Sequence, residues 1–201
     1  MTAGRETVGG CETVGGAGTV RVPGEVRVPE GTDLLSTSPR VAVYPGSFDP
    51  VTLGHLNVME RASRLFDRLV VGIGVNSEKT PMFSVSQRMD LIRLSTTHLP
   101  NVEVQSFDGL AVNFVRGCGA RVMIRGVRPI TDIPAEITMM MANRRLAPDV
   151  ETLFMIADGE LAHVSSSLIK EIYRLADEES LCRFLPLPVT RAIHERLRMG
   201  E

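Results

Sequence analysis

VAVYPGSFDPVTLGH, the stretch at residues 41–55, indicates a strand that leads directly into a helix. Its first four residues, 41–44, are the β-branched and apolar residues typical of a buried parallel strand. We expect the strand to stop at Pro45-Gly46 and a helical pattern of apolar residues to begin near Leu53. A helix N-terminus carries about half a positive charge and directs backbone N–H groups outward, so this junction favours a bound phosphate.

Polar side chains mark the same turn. Ser47 lies on the loop and His55 in the first helical turn, while Gly54 would let a ligand approach the backbone closely. Strand-to-helix junctions with a glycine are common in α/β proteins, and a single histidine in a helix is more often an ordinary surface or core residue. Taken alone, these residues leave both a phosphate site and a purely structural junction open.

The rest of the chain from Arg40 onward alternates between strand and helix patterns. We expect further strands at 68–75, 102–107, 121–124 and 151–156, helices at 84–98, 110–116 and 132–146, and a helical segment from 165 that breaks near 186–188. Strands separated by helices favour right-handed crossovers and a parallel sheet. The sequence therefore predicts an α/β fold, a Rossmann-like five-stranded parallel sheet with helices on both faces and a C-terminal helical segment.

Residues 1–39 differ in composition from residues 40–201. The peptides ETVGG and VRVP each occur twice in the first segment, which contains no aromatic residue. Such a segment cannot bury enough surface to offset its ordering entropy. We predict a flexible, disordered extension at 1–39 and one folded domain at 40–201. An added edge strand built on the alternating valines is the alternative.

The composition excludes several classes of protein. With a net charge of −2, the chain offers no overall electrostatic attraction to nucleic acid or to a membrane surface. No apolar run approaches the roughly 20 residues needed to cross a bilayer, and no signal peptide is evident. Cys11, Cys118 and Cys182 are too far apart in sequence for a metal-binding spacing or a disulfide framework. We expect a cytoplasmic protein with no nucleic-acid or membrane partner.

The candidate ligand-binding groups follow predicted strands. Ser47 and His55 follow the first strand, and Lys79 follows the second. Arg125 and Arg128 follow the fourth strand, and the serine run 165–167 follows the fifth. Ligands of parallel sheets bind at the carboxyl ends of the strands, so these groups should meet at one edge and form a polyanion site. Each also has an ordinary alternative: a solvated lysine, surface ion pairs of the arginines, or a helix N-cap at the serines.

Several motifs together resemble the phosphopantetheine adenylyltransferase family of the nucleotidyltransferase superfamily. GSFDP followed by TLGH is similar to the superfamily signature G-x-F-D-P and [HT]-x-G-H, with Thr52 at the variable position. Matching segments continue in order over about residues 40–199, namely KTPMF at 79–83, IRGVR at 124–128, VSSSLIKE at 164–171 and FLP at 184–186. The resemblance implies transfer of AMP from ATP to 4′-phosphopantetheine, which gives dephospho-coenzyme A and pyrophosphate in coenzyme A biosynthesis.

The resemblance also implies roles for individual residues. His55 would stabilise the transition state at the α-phosphate, and Lys79 and Arg125 would be catalytic groups that hold the acceptor phosphate. The acceptor would contact Ser47, Lys79, Ala111 and Arg125. ATP would contact Ser47, Phe48, His55, Gly126, Val127, Arg128, Glu136, Leu161, Ala162, His163, Val164, Ser165, Ser166 and Ser167. Magnesium would accompany ATP, without a dedicated protein metal site.

Three segments depart from the family pattern. One is the helix after Lys170, which lacks the usual glycine break and carries about two extra residues around 177–180. Where the family has D-F-E-Y-E the chain has DIPAE at 132–136, and Leu161 and His163 replace aromatic residues before the serine run. Two alternatives therefore stay open: a nucleotidyltransferase that acts on nicotinamide mononucleotide or glycerol phosphate, and a non-catalytic homologue that binds coenzyme A or ATP. The first would usually carry histidine at position 52, which is Thr52 here, and the second would not need a transition-state group such as His55.

Three consecutive methionines, Met139, Met140 and Met141, point to a second contact surface on one predicted helix. Successive positions of a helix differ by about 100°, so three in a row cannot all face one core. At least one should face another surface, and with the resemblance this predicts a homohexamer. A loosely packed helix with one exposed methionine is the alternative.

Overall fold

The computed structural model describes residues 38–75, 81–128 and 132–200 of the 201-residue chain. The strands, numbered along the chain, are β1 (Val41–Gly46), β2 (Arg68–Gly74), β3 (Val102–Phe107), β4 (Val122–Val127) and β5 (Glu151–Ile156). The helices are α1 (Leu53–Ser63), α2 (Val85–Ser95), α3 (Ala111–Gly117), α4 (Ile133–Leu146), α5 (Ser166–Ile172), α6 (Glu178–Leu181) and α7 (Leu187–Arg198). A helix follows each of the five strands.

The five strands form one parallel sheet in the order β3-β2-β1-β4-β5. The chain builds outward from β1 through β2 and β3, then returns to the other side of β1 for β4 and β5. The sheet therefore has a topological switch point between the carboxyl ends of β1 and β4, where ligands of such sheets bind. This topology confirms the predicted Rossmann-like fold.

Two hydrophobic clusters lie on opposite faces of the sheet. Ala42 and Tyr44 belong to the larger cluster, with Ile92 of α2 and other residues of α1, α5, α6 and α7. Val43 belongs to the smaller cluster, with Val115 of α3. Successive side chains of a strand point to opposite faces, so this alternation in β1 directs the helices to both sides of the sheet. The predicted two-sided cover is confirmed.

The strands at the centre of the sheet run further than the sequence predicted. β1 includes Pro45 and Gly46, where we expected it to stop, and β4 continues to Val127. Proline fits within β1 because this strand pairs with β4 only as far as Val43 and Met123, so Pro45 lies beyond the part that needs hydrogen-bond donors on both sides. As a consequence Arg125 to Val127 lie within β4, and Arg128 is the first residue after it.

Two helical boundaries also differ from the sequence prediction. α2 ends at Ser95 and not near residue 98, because the Thr96 backbone leaves the helical region and its hydroxyl donates to the Ile92 carbonyl oxygen at 2.8 Å. The C-terminal segment is three helices. The break near 186–188 is confirmed by Pro186 before α7, but the break after α5 was missed, and Asp177 starts α6 there by accepting the Ser180 N–H at 2.8 Å.

The predicted extension at 1–39 lies outside the described residues, apart from Ser38 and Pro39. Its flexibility therefore stays a prediction. From Ser38 onward the chain forms a single compact unit. Among the described helices, none has both the length and the apolar character needed to cross a membrane.

Candidate active site

A cavity of about 240 Å³ lies at the switch point of the sheet, at the carboxyl ends of β1 and β4. Its walls come from these two strands, the first turns of α1, and the segment that leads into α5. The lining residues are Tyr44, Ser47, Gly54, His55, Val58, Gly126, Val127, Arg128, Asp132, Ala157, Leu161, Ala162, Val164, Ser165, Ser166 and Ser167. The predicted meeting of β1, β4 and the serine run at one edge is confirmed.

A capping box formed by Thr52 and His55 begins α1 and fixes the histidine ring. The Thr52 N–H donates to His55 Nδ1 at 3.1 Å, Thr52 Oγ1 lies 3.0 Å from the same nitrogen, and the His55 N–H donates to that oxygen at 3.4 Å. A nitrogen that accepts a backbone N–H carries no proton itself, so the neutral ring holds its proton on Nε2. Nε2 has no acceptor within the described ranges, and His55 lines the cavity.

Burial keeps this ring neutral at physiological pH. Burial and, to a smaller extent, the nearby charge of Arg128 together lower the pKa of His55 from 6.5 to about 4. The Phe48 ring packs edge-on against the imidazole, with centroids 5.1 Å apart. His55 is therefore a neutral hydrogen-bond donor at the cavity wall.

The turn between β1 and α1 is built around Phe48, whose side chain is buried. Its ring packs against Tyr44 with centroids 5.2 Å apart, and a Cβ on Gly46 would come within 2.9 Å of it. The Phe48 backbone has a φ of 46°, which a bulky residue rarely adopts. The whole residue is only 2% exposed, so the Phe48 ring is not available to a ligand.

Fewer N–H groups at the start of α1 remain available to a ligand than the sequence predicted. The Leu53 N–H donates to the Phe184 carbonyl oxygen at 2.8 Å and the His55 N–H to Thr52. Among the backbone N–H groups of the first three residues of α1, only that of Gly54 lacks an acceptor in the described part of the chain. Gly54 also allows close packing, because a Cβ there would lie 3.3 Å from the Leu161 carbonyl oxygen. The site therefore relies more on side chains than on the helix N-terminus.

Two arginine–carboxylate pairs lie beside the turn. Arg128 binds Asp132 through Nε and Nη2, both at 2.8 Å, which raises the arginine pKa, and both residues line the cavity. Arg125 binds Glu136 through Nε at 2.8 Å and Nη2 at 2.6 Å, while its Nη1 donates to the Pro45 carbonyl oxygen at 3.1 Å. The sequence interpretation assigned Arg125 and Glu136 to different substrates, whereas here they bind each other outside the cavity lining.

The serine run performs two tasks. Ser165 caps α5 by accepting the Leu168 N–H at 3.1 Å, and Ser166 donates to the Pro50 carbonyl oxygen at 2.8 Å. The N-cap alternative therefore holds for Ser165, although all three serines also line the cavity. Ser166 connects α5 to the turn that follows β1, which brings the serine motif next to the GSFDP motif.

Asp49 is a buried residue of the turn that the sequence interpretation did not single out. Its carboxylate accepts the Met82 and Phe83 N–H groups, both at 2.9 Å, and the Lys170 ammonium at 2.5 Å. It thus joins the turn to α5 and to the chain just before α2. Its place inside the GSFDP motif was the only signal of this role.

Most of the predicted nucleotide contacts surround one cavity, and five of the predicted residues that the structure describes do not. Phe48 is buried beside it, and Glu136 and Arg125 are bound to each other. His163 is exposed with its ring 6.2 Å from that of Phe184, and Ala111 packs against the smaller hydrophobic cluster at the start of α3. Lys79 lies outside the described residues, so its predicted role is untested.

Four cavity residues were missed: Tyr44, Val58, Asp132 and Ala157. Val58 lies one helical turn after Gly54, so the spacing of four residues could have placed it on the same face. Asp132 could have been found by its spacing from Arg128. Tyr44 and Ala157 gave no comparable signal, because residues at or just after the carboxyl end of a strand acquire their neighbours only when the sheet forms.

Comparison with known proteins first defines the class. Residues 43–172 match the family model described as cytidylyltransferase-like, which places the chain among the nucleotidyltransferases. A solved structure of nicotinic acid mononucleotide adenylyltransferase from Plasmodium falciparum, complexed with NaAD, shares the fold at a TM-score of 0.60 and 12% identity. The match covers 80% of this chain and 96% of that one and concerns the fold alone.

Curated relatives then define the family. A phosphopantetheine adenylyltransferase from Rhodopirellula baltica is 55% identical over 167 residues, which span 83% of this chain and 93% of that protein. Another from Synechococcus sp. is 49% identical over 160 residues, 80% of this chain and 99% of that protein. The chain belongs to the phosphopantetheine adenylyltransferase family, as the motifs predicted.

Proposed function

We propose that this protein reversibly transfers the AMP group of ATP to 4′-phosphopantetheine, forming dephospho-coenzyme A and pyrophosphate. A phosphate oxygen of the acceptor bonds to the α-phosphorus of ATP, and the bond from that phosphorus to the β-phosphate oxygen breaks. The attacking phosphate is already ionised at neutral pH, so no general base is required. The protein must align two polyanions and stabilise the charge that develops at the α-phosphate.

The geometry of His55 is the observation that carries this proposal. Among the described residues only Nδ1 of its ring is held, by Thr52, and His55 lines the cavity. In the proposed reaction Nε2–H donates to an α-phosphate oxygen as negative charge builds there. The donor is held in place before the substrate arrives, which is the condition for effective electrostatic stabilisation.

Arg128 supplies positive charge on the same wall. Asp132 occupies its Nε and Nη2, which orients the guanidinium, and Nη1 has no acceptor among the described residues. We assign this remaining edge to the ATP phosphates, since a guanidinium matches phosphate geometry well. Arg125, by contrast, has all three nitrogens bound, so it would hold the acceptor phosphate only after exchanging a contact with Glu136 or Pro45.

Magnesium in this proposal arrives with ATP. The polar wall of the cavity consists mainly of cationic, hydroxyl and backbone groups, and Asp132 is the one carboxylate among its described residues. Such a wall suits an ion bound by the triphosphate and water, since Mg²⁺ usually keeps several waters in nucleotide sites. The ion would neutralise phosphate charge, while His55 and Arg128 act directly on the phosphate oxygens.

We further propose a homohexamer that works in the cytoplasm. Support for assembly comes from α4, none of whose residues is buried, and from its apolar side chains Ile133, Ile137 and Met141, exposed by 37%, 41% and 62%. Their spacing of four residues places them on one face, the usual mark of a contact surface. The free thiols of Cys118 and Cys182 suit a reducing compartment.

An acceptor panel tests the reaction and both alternatives. Pyrophosphate release from ATP and Mg²⁺ is measured with 4′-phosphopantetheine, nicotinamide mononucleotide or glycerol 3-phosphate as acceptor. We expect release with 4′-phosphopantetheine alone. Release with one of the other acceptors would identify a different nucleotidyltransferase, and ATP binding without release would identify a binding protein.

A further inference from the structure

Arg88, in the first turn of α2, is a buried cation directly behind the phosphate turn. The residue is 6% exposed, and its Nη1 donates to the Ser47 carbonyl oxygen at 2.8 Å. Its Nε is buried and has no hydrogen-bond partner in the described ranges, and none of the ion pairs within 4 Å found there involves Arg88. The buried acid of the turn, Asp49, is bound to Met82, Phe83 and Lys170 instead.

A guanidinium keeps its charge under all ordinary conditions, and burying a charge without a partner is costly. Proteins retain such an unfavourable buried charge where it serves the function of a neighbouring site. Ser47 lines the cavity, so Arg88 acts on the backbone of the site itself. The guanidinium contributes positive charge there while the residue stays almost completely buried.

The peptide between Ser47 and Phe48 transmits this charge. The bond is trans, so its C=O and N–H point in opposite directions, and the Phe48 N–H is directed away from Arg88. That N–H has no acceptor among the described residues. A cation on the carbonyl oxygen polarises the peptide and makes the N–H a stronger donor toward an anion. It also restrains the turn at the point where Phe48 has its strained φ of 46°.

We propose that Arg88 is a positioning residue for the reaction: its buried guanidinium, which pairs with no carboxylate of the described residues, holds and polarises the Ser47–Phe48 peptide, whose N–H then binds a phosphate group of the nucleotide. The inference rests on the proposed function for its ligand, a polyphosphate. It assigns a role to a residue that does not line the cavity and that the sequence interpretation passed over.

Three substitutions separate the charge of Arg88 from its packing. Arg88→Met keeps much of the length and removes the charge, Arg88→Gln keeps a donor for Ser47 without charge, and Arg88→Lys keeps the charge and a donor. Arg93→Met is the matched control, because Arg93 is on the same helix and also donates to a backbone carbonyl oxygen, that of Val104, but is exposed and paired with Asp90.

We expect Arg88→Met to lower kcat about 10- to 100-fold, less than the loss of a direct oxyanion donor, with each KM changed less than about threefold. The kcat of Arg88→Gln should be close to that of Arg88→Met, and the kcat of Arg88→Lys should be within about fivefold of the wild-type value. Removing an unpaired buried charge should leave the melting temperature unchanged or higher. The rise in melting temperature produced by inorganic pyrophosphate should shrink in Arg88→Met and persist in Arg93→Met.

Several results would overturn the proposal. These are a lower melting temperature in Arg88→Met with normal kcat, an Arg88→Gln variant as active as Arg88→Lys, or a wild-type protein whose melting temperature pyrophosphate does not raise. The melting-temperature measurement also separates the role of Arg88 from the proposed reaction. If wild-type protein released no pyrophosphate with any acceptor but showed the Arg88-dependent thermal shift, the proposed reaction would fail and the role of Arg88 would stand.

Discussion

Thr52 controls the chemistry of His55 through two atoms, its backbone N–H and its side-chain oxygen. The same capping box that starts α1 leaves the imidazole proton on Nε2. The position of His55 after the phosphate turn was predictable from the motif. Its tautomer was not, because that depends on a hydrogen bond that exists only when the helix has formed.

His55→Ala should lower turnover about 10²- to 10³-fold with little change in either Michaelis constant. An interaction made mainly in the transition state affects kcat and not ground-state binding, and loss of one such donor typically costs this much. Steady-state kinetics with both substrates checks the prediction. His98→Ala is the control, since His98 is exposed and bound to Glu60 at 3.0 Å. Turnover of His55→Ala within a few-fold of wild type would contradict the assigned role.

The depressed pKa of His55 has a measurable effect on titration and stability. The folded protein keeps the ring neutral down to about pH 4, whereas the unfolded chain protonates it near pH 6.5. The unfolded state therefore binds more protons between these values, and the free energy of unfolding should fall as the pH is lowered from 6.5 to 4. The same measurement on His55→Gln should show a smaller fall.

Nitrogen NMR of the free protein tests the same point at the ring itself. We expect the His55 signals to report an Nε2-protonated neutral imidazole down to about pH 5. A titration midpoint near 6.5, or a proton on Nδ1, would show that the ring is not held as described.

At the scale of elements, close packing of β1 against β4 shapes the cavity. A Cβ on Gly126 would lie 2.5 Å from the Tyr44 hydroxyl, while the next atom, Tyr44 Cζ, would be at 3.5 Å, an ordinary contact. Glycine at 126 therefore leaves the space that the Tyr44 hydroxyl oxygen of the neighbouring strand occupies. The IRGVR motif indicated this position, but the reason for glycine appeared only with the partner strand in place.

Gly126→Ala should destabilise the fold by about 1–3 kcal/mol, the usual range for an overpacked core position. In a Tyr44→Phe background the obstructing oxygen is absent, so the same substitution should cost less than about 1 kcal/mol. Chemical denaturation of the four proteins gives the coupling energy directly. Equal costs in both backgrounds would show that the hydroxyl is not the obstacle.

The elements themselves were largely predictable, and their ends were not. Periodicity and glycine placement gave all five strands, because a parallel sheet buried on both faces needs continuous apolar runs. The end of α2 at Thr96 and the extra break at Asp177 depend on local caps that compete with the helical pattern. The pairing of Arg125 with Glu136 could not be predicted, because eleven residues and a change from strand to helix separate them.

At the scale of the whole molecule, α4 presents an apolar face that the single chain leaves exposed. Ile133, Ile137 and Met141 are on one side, and Met139 is 54% exposed on another. The run of methionines predicted this exposure, since no core can take all three.

Met141→Glu should convert the assembled protein into smaller species, because a carboxylate in a buried apolar contact lacks a partner. Multi-angle light scattering at micromolar concentration measures the change, with wild type expected at the mass of six chains. Leu94→Glu is the control, an exposed leucine on α2 that is 57% accessible. A monomeric wild type would contradict the proposed assembly.

The fate of the α-phosphate tests the central claim most directly. ATP labelled at the α-phosphate is incubated with Mg²⁺, 4′-phosphopantetheine and the protein, and the products are separated and counted. We predict that the label appears in dephospho-coenzyme A with one equivalent of pyrophosphate released, and that His55→Ala slows this transfer at saturating substrates. Label recovered in AMP, in another acceptor, or only in unreacted ATP would contradict the account.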